Sequence, residues 1–228
     1  MFDKVYCINL DERKDRWEEF QNQIDLLGMR DKLVRISALK PPENYFLPNQ
    51  LRSGQMGCTL SHIKMLGHAL KNSKGNVLVL EDDILVNQDT SELMKECINS
   101  LPQDWAICYF GGQPRIRLSL YKQNQKYKIF NAKDIEGSYA YAINYNVIHD
   151  LFNHCMSCLI DDNMKINRGL KVAGIYDYTL YSFANKTKSF ISYPLIVRPA
   201  PGTSSITGGT MTEQQYDDFI KRFWRKCL

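Results

Sequence analysis

At 228 residues the chain suits one larger domain or two small ones. It is 44% hydrophobic and 11% aromatic, enough to bury a core, and its 24% charged residues are spread along its length, which excludes a disordered chain. The net charge of +4 is mild and no block of like charge forms a tail, so nucleic acid is not an expected partner, whereas a mildly basic enzyme favours an anionic substrate.

The chain opens on a strand-like stretch, KVYCINL (Lys4 to Leu10), rather than a cleavable apolar leader. Asp11 is the expected N-cap of a helix carrying Trp17, Phe20, Ile24 and Leu27, stopped at Gly28. LVRISAL (Leu33 to Leu39) is a second strand, followed by a loop marked by Pro41, Pro42 and Pro48 up to about Ser53. GQMGCTLSHIKMLGHALKN then holds a helix with Ile63, Leu66, Ala69 and Leu70 on one face, capped by Thr59 or Ser61.

After a turn at Gly75-Asn76, VLVL (Val77 to Leu80) is a continuous apolar strand of the kind covered on both faces. Ser91 caps a helix bearing Leu93, Met94, Cys97 and Ile98. WAICYFGG (Trp105 to Gly112) is a strand ending in paired glycines; IRLSLY and YKIFNA are weaker strands; SYAYAI (Ser138 to Ile143) precedes a helix with Val147, Ile148, Leu151 and Phe152. The last third is less regular, with SFISYPLIV, RPAPG, a flexible GTSSITGG and a terminal amphipathic stretch carrying Phe219, Phe223 and Trp224.

Strands alternating with helices predict an α/β fold around a mainly parallel, Rossmann-like sheet. One domain is expected over 1–228, residues 1–112 and 113–228 forming its two halves, with the less regular C-terminal third packed on as an extension. Ligands of such sheets lie beyond the carboxyl ends of the strands. That rule brings Asn9-Leu10-Asp11, Glu81-Asp82-Asp83 and Gly111-Gly112 to one rim.

The seven cysteines read as reduced core thiols, because Cys155-x-x-Cys158 has neither a second cysteine pair nor a histidine pair to complete a zinc site. No apolar run approaches the ~20 residues of a membrane span, which leaves only peripheral membrane contact open. A reducing compartment such as the cytoplasm is expected, and a domain excised from a longer protein would look the same.

The triplet Glu81-Asp82-Asp83 sets three like charges at the end of a buried strand. Oxygen-only ligands with open positions suit Mg²⁺ or Mn²⁺, which would offset the repulsion and neutralise a diphosphate. The bland alternative is a set of solvated acids beginning a turn.

INLDERKDRW, GCTLSH, VLVLEDD, a strand ending in Gly-Gly and AYAI before a helix occur in one order. Together they resemble glycosyltransferase family 25, which includes bacterial lipooligosaccharide (lipopolysaccharide biosynthesis) galactosyltransferases and collagen hydroxylysine galactosyltransferases. The resemblance spans roughly residues 3 to 152. It implies a GT-A type fold, a UDP-hexose donor (galactose or glucose), a glycan or collagen-like acceptor, and an inverting transfer assisted by a divalent metal at an E-D-D version of the D-x-D motif. On that reading Asp83 and Glu81 hold the metal. Asn9, Leu10, Arg13, Arg16, Ser61, His62, Glu81, Asp82, Gly111 and Gly112 bind the nucleotide sugar.

Each role has a plainer counterpart. Arg13 and Arg16 suit surface ion pairs, Asn9 a turn cap, His62 a satisfied buried polar group, and Gly111-Gly112 an ordinary turn. Inverting transfer also needs a carboxylate base within reach of the acceptor hydroxyl. The family's Pro-Val-Asp-like element is missing here. Asp177 of IYDYTL is preferred, with Asp161 and Asp162 of LIDDNM as the competing pair. A non-catalytic sugar-nucleotide-binding domain and a nucleotidyltransferase are the alternative functions.

Overall fold

The computed structural model describes residues 1–42, 53–160, 176–203 and 210–225. In chain order the first half consists of β1 (Lys4–Asn9), α1 (Lys14–Leu26), β2 (Leu33–Ser37), α2 (Ser53–Asn72), β3 (Val77–Glu81), β4 (Ile84–Leu85), α3 (Thr90–Asn99) and β5 (Ile107–Tyr109). Then come β6 (Gln113–Pro114), β7 (Leu120–Gln123), β8 (Lys128–Asn131), β9 (Ile135–Glu136), β10 (Ala140–Ile143) and α4 (Ile148–Leu159). The last described stretches hold α5 (Tyr176–Ala184), β11 (Phe190–Tyr193), β12 (Arg198–Pro199), β13 (Gly202–Thr203), β14 (Thr210–Met211) and α6 (Glu213–Trp224).

The α/β class is the one expected. Eight strands form one sheet in the order β2-β1-β3-β10-β5-β11-β8-β7. β1 runs parallel to both β2 and β3, and β11 runs parallel to β5. β10 lies antiparallel between β3 and β5, and β8 joins antiparallel to β11 and β7. The sheet is therefore mixed, with a parallel β2-β1-β3 part built from β-α-β connections, a second parallel pair at β5-β11, and antiparallel neighbours between and beyond them.

Side-chain alternation along β3 shows why VLVL is apolar throughout. Val77 and Val79 join the core layer of Tyr6, Met65, Leu66 and Leu151, while Leu78 and Leu80 join Phe20, Ile24 and Met94 on the other face. Each such fully buried aliphatic side chain contributes about 1.5–3 kcal/mol of transfer free energy. Trp224 closes the first layer from α6, whose start carries a capping box between Thr212 and Gln215.

Several local expectations are corrected. α1 begins at Lys14 rather than after an Asp11 cap; Asp11 instead accepts from the Ser37 hydroxyl (2.7 Å) and pairs with Arg35 (2.8 Å). α2 begins at Ser53, so Thr59 and Ser61 are interior. Their hydroxyls donate back to the carbonyls of Gln55 (3.0 Å) and Gly57 (2.6 Å), which satisfies them without a helix end. The helix expected after a Ser91 cap starts at Thr90, so Ser91 lies inside its first turn, and the strand expected over Trp105 to Gly112 narrows to Ile107–Tyr109. Gly28 stops α1 as anticipated, at φ +63°. Among the described residues no helix is long and apolar enough to cross a membrane.

Candidate active site

Strand register creates the site. Ile8 of β1 pairs with Glu81 of β3, so Asn9 and the acid triplet leave the sheet side by side. On the other flank, antiparallel β10 begins where β3 ends: Ala140 pairs with Leu80, and the Glu81 N–H donates to the Tyr139 carbonyl (2.9 Å). The loop residues Gly137 and Ser138 therefore stand next to the triplet.

The acids are held by a specific network. The Asn9 side-chain amide donates to Asp82 Oδ2 (2.7 Å), and its carbonyl oxygen accepts from Arg35 Nε (2.9 Å) and Nη2 (2.6 Å). Arg35 also stacks 5.2 Å over the Trp17 ring. Arg16 Nη1 meets Asp82 Oδ1 at 3.0 Å and Asp83 Oδ2 at 2.8 Å. These pairs are mostly shielded, since the Arg16 and Asp82 side chains are 12% and 10% exposed. One guanidinium thus bridges two carboxylates, with Glu81 beside them.

Electrostatics records the imbalance. Burial pushes the Glu81 carboxyl well above its ordinary value, and repulsion from Asp83, Asp177 and Asp82 adds to that. Burial also raises Asp83, against the pull of Arg16. A divalent cation fits this surplus of oxygen ligands and negative charge. Glu81 and Asp83 are the residues that would hold it, since both oxygens of Asp82 already have protein partners.

A cavity of about 490 Å³ opens beside the triplet. Leu10, Arg13, Arg16, Ser61, His62, Glu81, Asp82 and Asp83 line it, Asn9 and Asp177 do not, and Lys40 adds a further cation. Arg13 grips Asp15 through Nε (2.9 Å) and Nη2 (2.7 Å). Ser61 accepts from the Leu39 N–H (2.8 Å), fixing the loop that forms one wall.

His62 is buried, with Nδ1 3.0 Å from the Tyr141 hydroxyl and its ring stacked on Tyr176 at 3.7 Å. Burial lowers its pKa to about 3, so it is neutral at physiological pH. Cys58, which the sequence presents as a packing residue, lies with His62 and Glu81 so that their ligand atoms are all within 4.8 Å of one another. The signal for this was the one-turn spacing of Cys58 and His62 on a helix.

Gly111 and Gly112 do not line this cavity. A Cβ on Gly111 would fall inside the Tyr139 ring, and one on Gly112, at φ +150°, would lie 2.7 Å from Ile135 Cγ2. The glycines serve the close approach of the chain to Tyr139 and β9.

Asp177 sits in the first turn of α5 and accepts from the Ser138 hydroxyl and the Gly137 and Ser138 N–H groups. Burial outweighs these bonds and raises its pKa. Its charge is felt at Glu81 and at Tyr109, whose buried hydroxyl has no hydrogen-bond partner among the described residues. Asp161 and Asp162, the competing pair, lie outside the described residues. Arg198, remote in sequence, is engaged with Asp217. The cysteines other than Cys227, which lies outside the described residues, are free thiols.

The model of glycosyltransferase family 25 (LPS biosynthesis protein) matches residues 2–157. The chain belongs to glycosyltransferase family 25. Its β-α-β half followed by antiparallel β10 has the GT-A type arrangement implied by that membership. Curated family-25 relatives include procollagen galactosyltransferase 2 of Homo sapiens, 26% identical over 159 residues, covering 61% of this chain and 25% of that protein. The Mus musculus protein of the same name is 30% identical over 129 residues, covering 48% of this chain and 21% of its own. The chain thus spans about a quarter of the length of these relatives. Among solved structures, a glycosyltransferase involved in glycosylating the major capsid of PBCV-1 aligns at TM-score 0.45 and 9% identity, over 85% of this chain and 93% of that one.

Proposed function

We propose that this family-25 domain transfers a hexose, galactose or glucose, from a UDP-sugar to a hydroxyl of a glycan or hydroxylysine-type acceptor, with inversion. The observation that carries this reading is the meeting of two acid sets at one rim: Glu81-Asp82-Asp83 beside a cavity lined by Arg13, Arg16 and Lys40, and Asp177 close enough to raise the Glu81 pKa. A cavity of about 490 Å³ is of the size that holds a small-molecule ligand. The three cations suit a diphosphate.

In this scheme the 1–112 half binds the donor and the 113–228 half presents the acceptor. Leu10, Ser61 and His62 shape the wall against the nucleotide. Arg13 and Arg16 face the diphosphate, and Glu81 and Asp83 hold Mn²⁺ or Mg²⁺. The bound cation supplies neutralisation of the departing diphosphate.

Asp177 removes the proton from the acceptor hydroxyl. Its raised pKa makes it a stronger base than an ordinary carboxylate, and the Ser138 hydroxyl and two N–H groups aim it. By kinship with the procollagen enzymes a collagen-like acceptor is one candidate, and a lipooligosaccharide core is another.

Incubation with UDP-galactose or UDP-glucose and Mn²⁺, followed by assay of UDP release and donor binding, tests the proposal. Donor binding with Mn²⁺-dependent UDP release is expected. A folded protein that binds no nucleotide sugar refutes it.

A further inference from the structure

Outside the oxygen-ligand chemistry of Asp83 lies a group the transfer scheme leaves unexplained. Cys58 and His62 stand one helical turn apart on α2 and point at Glu81 across the cavity wall. We propose that Cys58, His62 and Glu81 form a binding site for one divalent cation of the zinc class, chemically distinct from the Mg²⁺ or Mn²⁺ position.

Three features argue for it. The first is spacing. The thiol, imidazole and carboxylate atoms all lie within 4.8 Å of one another. Zinc bonds of about 2.0–2.3 Å put tetrahedral ligand atoms roughly 3.5 Å apart, so the set needs only a small contraction to bind.

The second is orientation. His62 Nδ1 is 3.0 Å from the Tyr141 hydroxyl, which is 2.8 Å from the Tyr176 hydroxyl. If Nδ1–H donates to Tyr141 and Tyr141 donates to Tyr176, the lone pair is left on Nε2, which has no hydrogen bond among the described residues. The Tyr176 ring, stacked at 3.7 Å and 7°, fixes the plane. Metal-binding histidines are oriented through their second nitrogen in this way.

The third is access. All three residues line the cavity, which supplies an entry path and an open fourth position. Three protein ligands with one open position is the pattern of exchangeable rather than closed zinc sites. A sulfur, a nitrogen and a single oxygen select against Mg²⁺ and Mn²⁺.

Binding forms bonds to sulfur, nitrogen and oxygen and releases to solvent the Cys58 proton together with any proton the Glu81 carboxyl carries. Because Glu81 is shared, a zinc-class ion at this site withdraws a ligand from the hard-cation position.

The test reads the metal on the protein alone and so does not depend on the transferase reading. Metal-free protein is titrated with Co²⁺. One equivalent is expected to develop a near-ultraviolet thiolate-to-cobalt band that Zn²⁺ removes and Mg²⁺ does not. Cys58→Ser should abolish the band. Cys158→Ser should leave it, although the Cys158 thiol lies 3.7 Å from His154 Nε2 and is the competing Cys–His pair. Should Cys58→Ser fail to fold, Zn²⁺ affinity by equilibrium dialysis is compared between wild type and Glu81→Gln, with at least a tenfold loss expected. Cobalt binding without a thiolate band, a band that survives Cys58→Ser or unchanged affinity in Glu81→Gln overturns the proposal.

Discussion

Replacing Glu81 by Gln removes one negative charge from a cluster of three carboxylates, two of which are bridged by the Arg16 guanidinium. Burial, then repulsion from Asp83, Asp177 and Asp82, hold the Glu81 carboxyl well above its ordinary value, so its ionised form is unfavourable in the folded state. The neutral amide keeps the shape and drops that cost. Relief of such functional-site strain typically adds about 0.5–2 kcal/mol. Taking ~1 kcal/mol, the Tm of a chain this size rises roughly 2–4 °C.

Asp82→Asn should do the opposite, because it breaks the 3.0 Å contact to Arg16 and disturbs the 2.7 Å bond from Asn9. Arg16 keeps its 2.8 Å pairing with Asp83, so the loss is that of one charged hydrogen bond of two, about 1 kcal/mol, a fall of roughly 2–4 °C. The assay is thermal unfolding at pH 7 with EDTA.

The pH dependence follows from the sign of the shift. The folded Glu81 carboxyl titrates above its ordinary 4.5, so as pH falls the native state takes up this proton before the unfolded state does. Wild-type stability from this group therefore rises as pH drops from neutral through the folded pKa, and the gain ends below about 4.5. The advantage of Glu81→Gln should shrink over the same window. If Glu81→Gln and Asp82→Asn lower the Tm alike at pH 7, the reasoning about the charge surplus is wrong.

Asp177→Asn should lower transfer by roughly 10²–10⁴-fold while donor binding persists; a variant with full activity assigns the base elsewhere. Ser138→Ala removes a bond that favours ionised Asp177, so the acid limb of the pH–rate profile should move to higher pH. Gly111→Ala drives a methyl group into the Tyr139 ring and should cost about 1–3 kcal/mol, read by urea denaturation. The His62 imidazole, with its pKa pushed down to about 3, should show proton chemical shifts that stay flat between pH 5 and 8, and a titration near 6.5 would place it in water.

Where sequence and structure agree, a local pattern carries the information. VLVL is apolar at every position because Val77 and Val79 enter one core layer while Leu78 and Leu80 enter the other. Nothing in AYAI, however, states its direction. An apolar strand pairs equally well either way, and only the fold sets β10 antiparallel between β3 and β5. That direction matters for function, because it carries Gly137 and Ser138 to the end of β3. Hydroxyl residues were legible as polar but not as interior: Thr59 and Ser61 look like caps because the same oxygen can accept from a helix start or donate to a carbonyl one turn back.

The partners of charged residues were the least legible. Arg16 was visible as a cation near the rim, yet its distribution between Asp82 and Asp83 depends on register between β1 and β3. Arg35 gave no sign that it would hold Asn9, since that contact crosses from β2 to β1. Asp177 is the opposite case. Three donors from the β9–β10 loop converge on its carboxylate, more than a helix-capping or surface acid requires. Burial nevertheless raises its pKa, so those bonds orient the carboxylate more effectively than they acidify it. An acid aimed by its neighbours, desolvated, and felt by Glu81 and Tyr109 suits the proton-accepting role proposed for it.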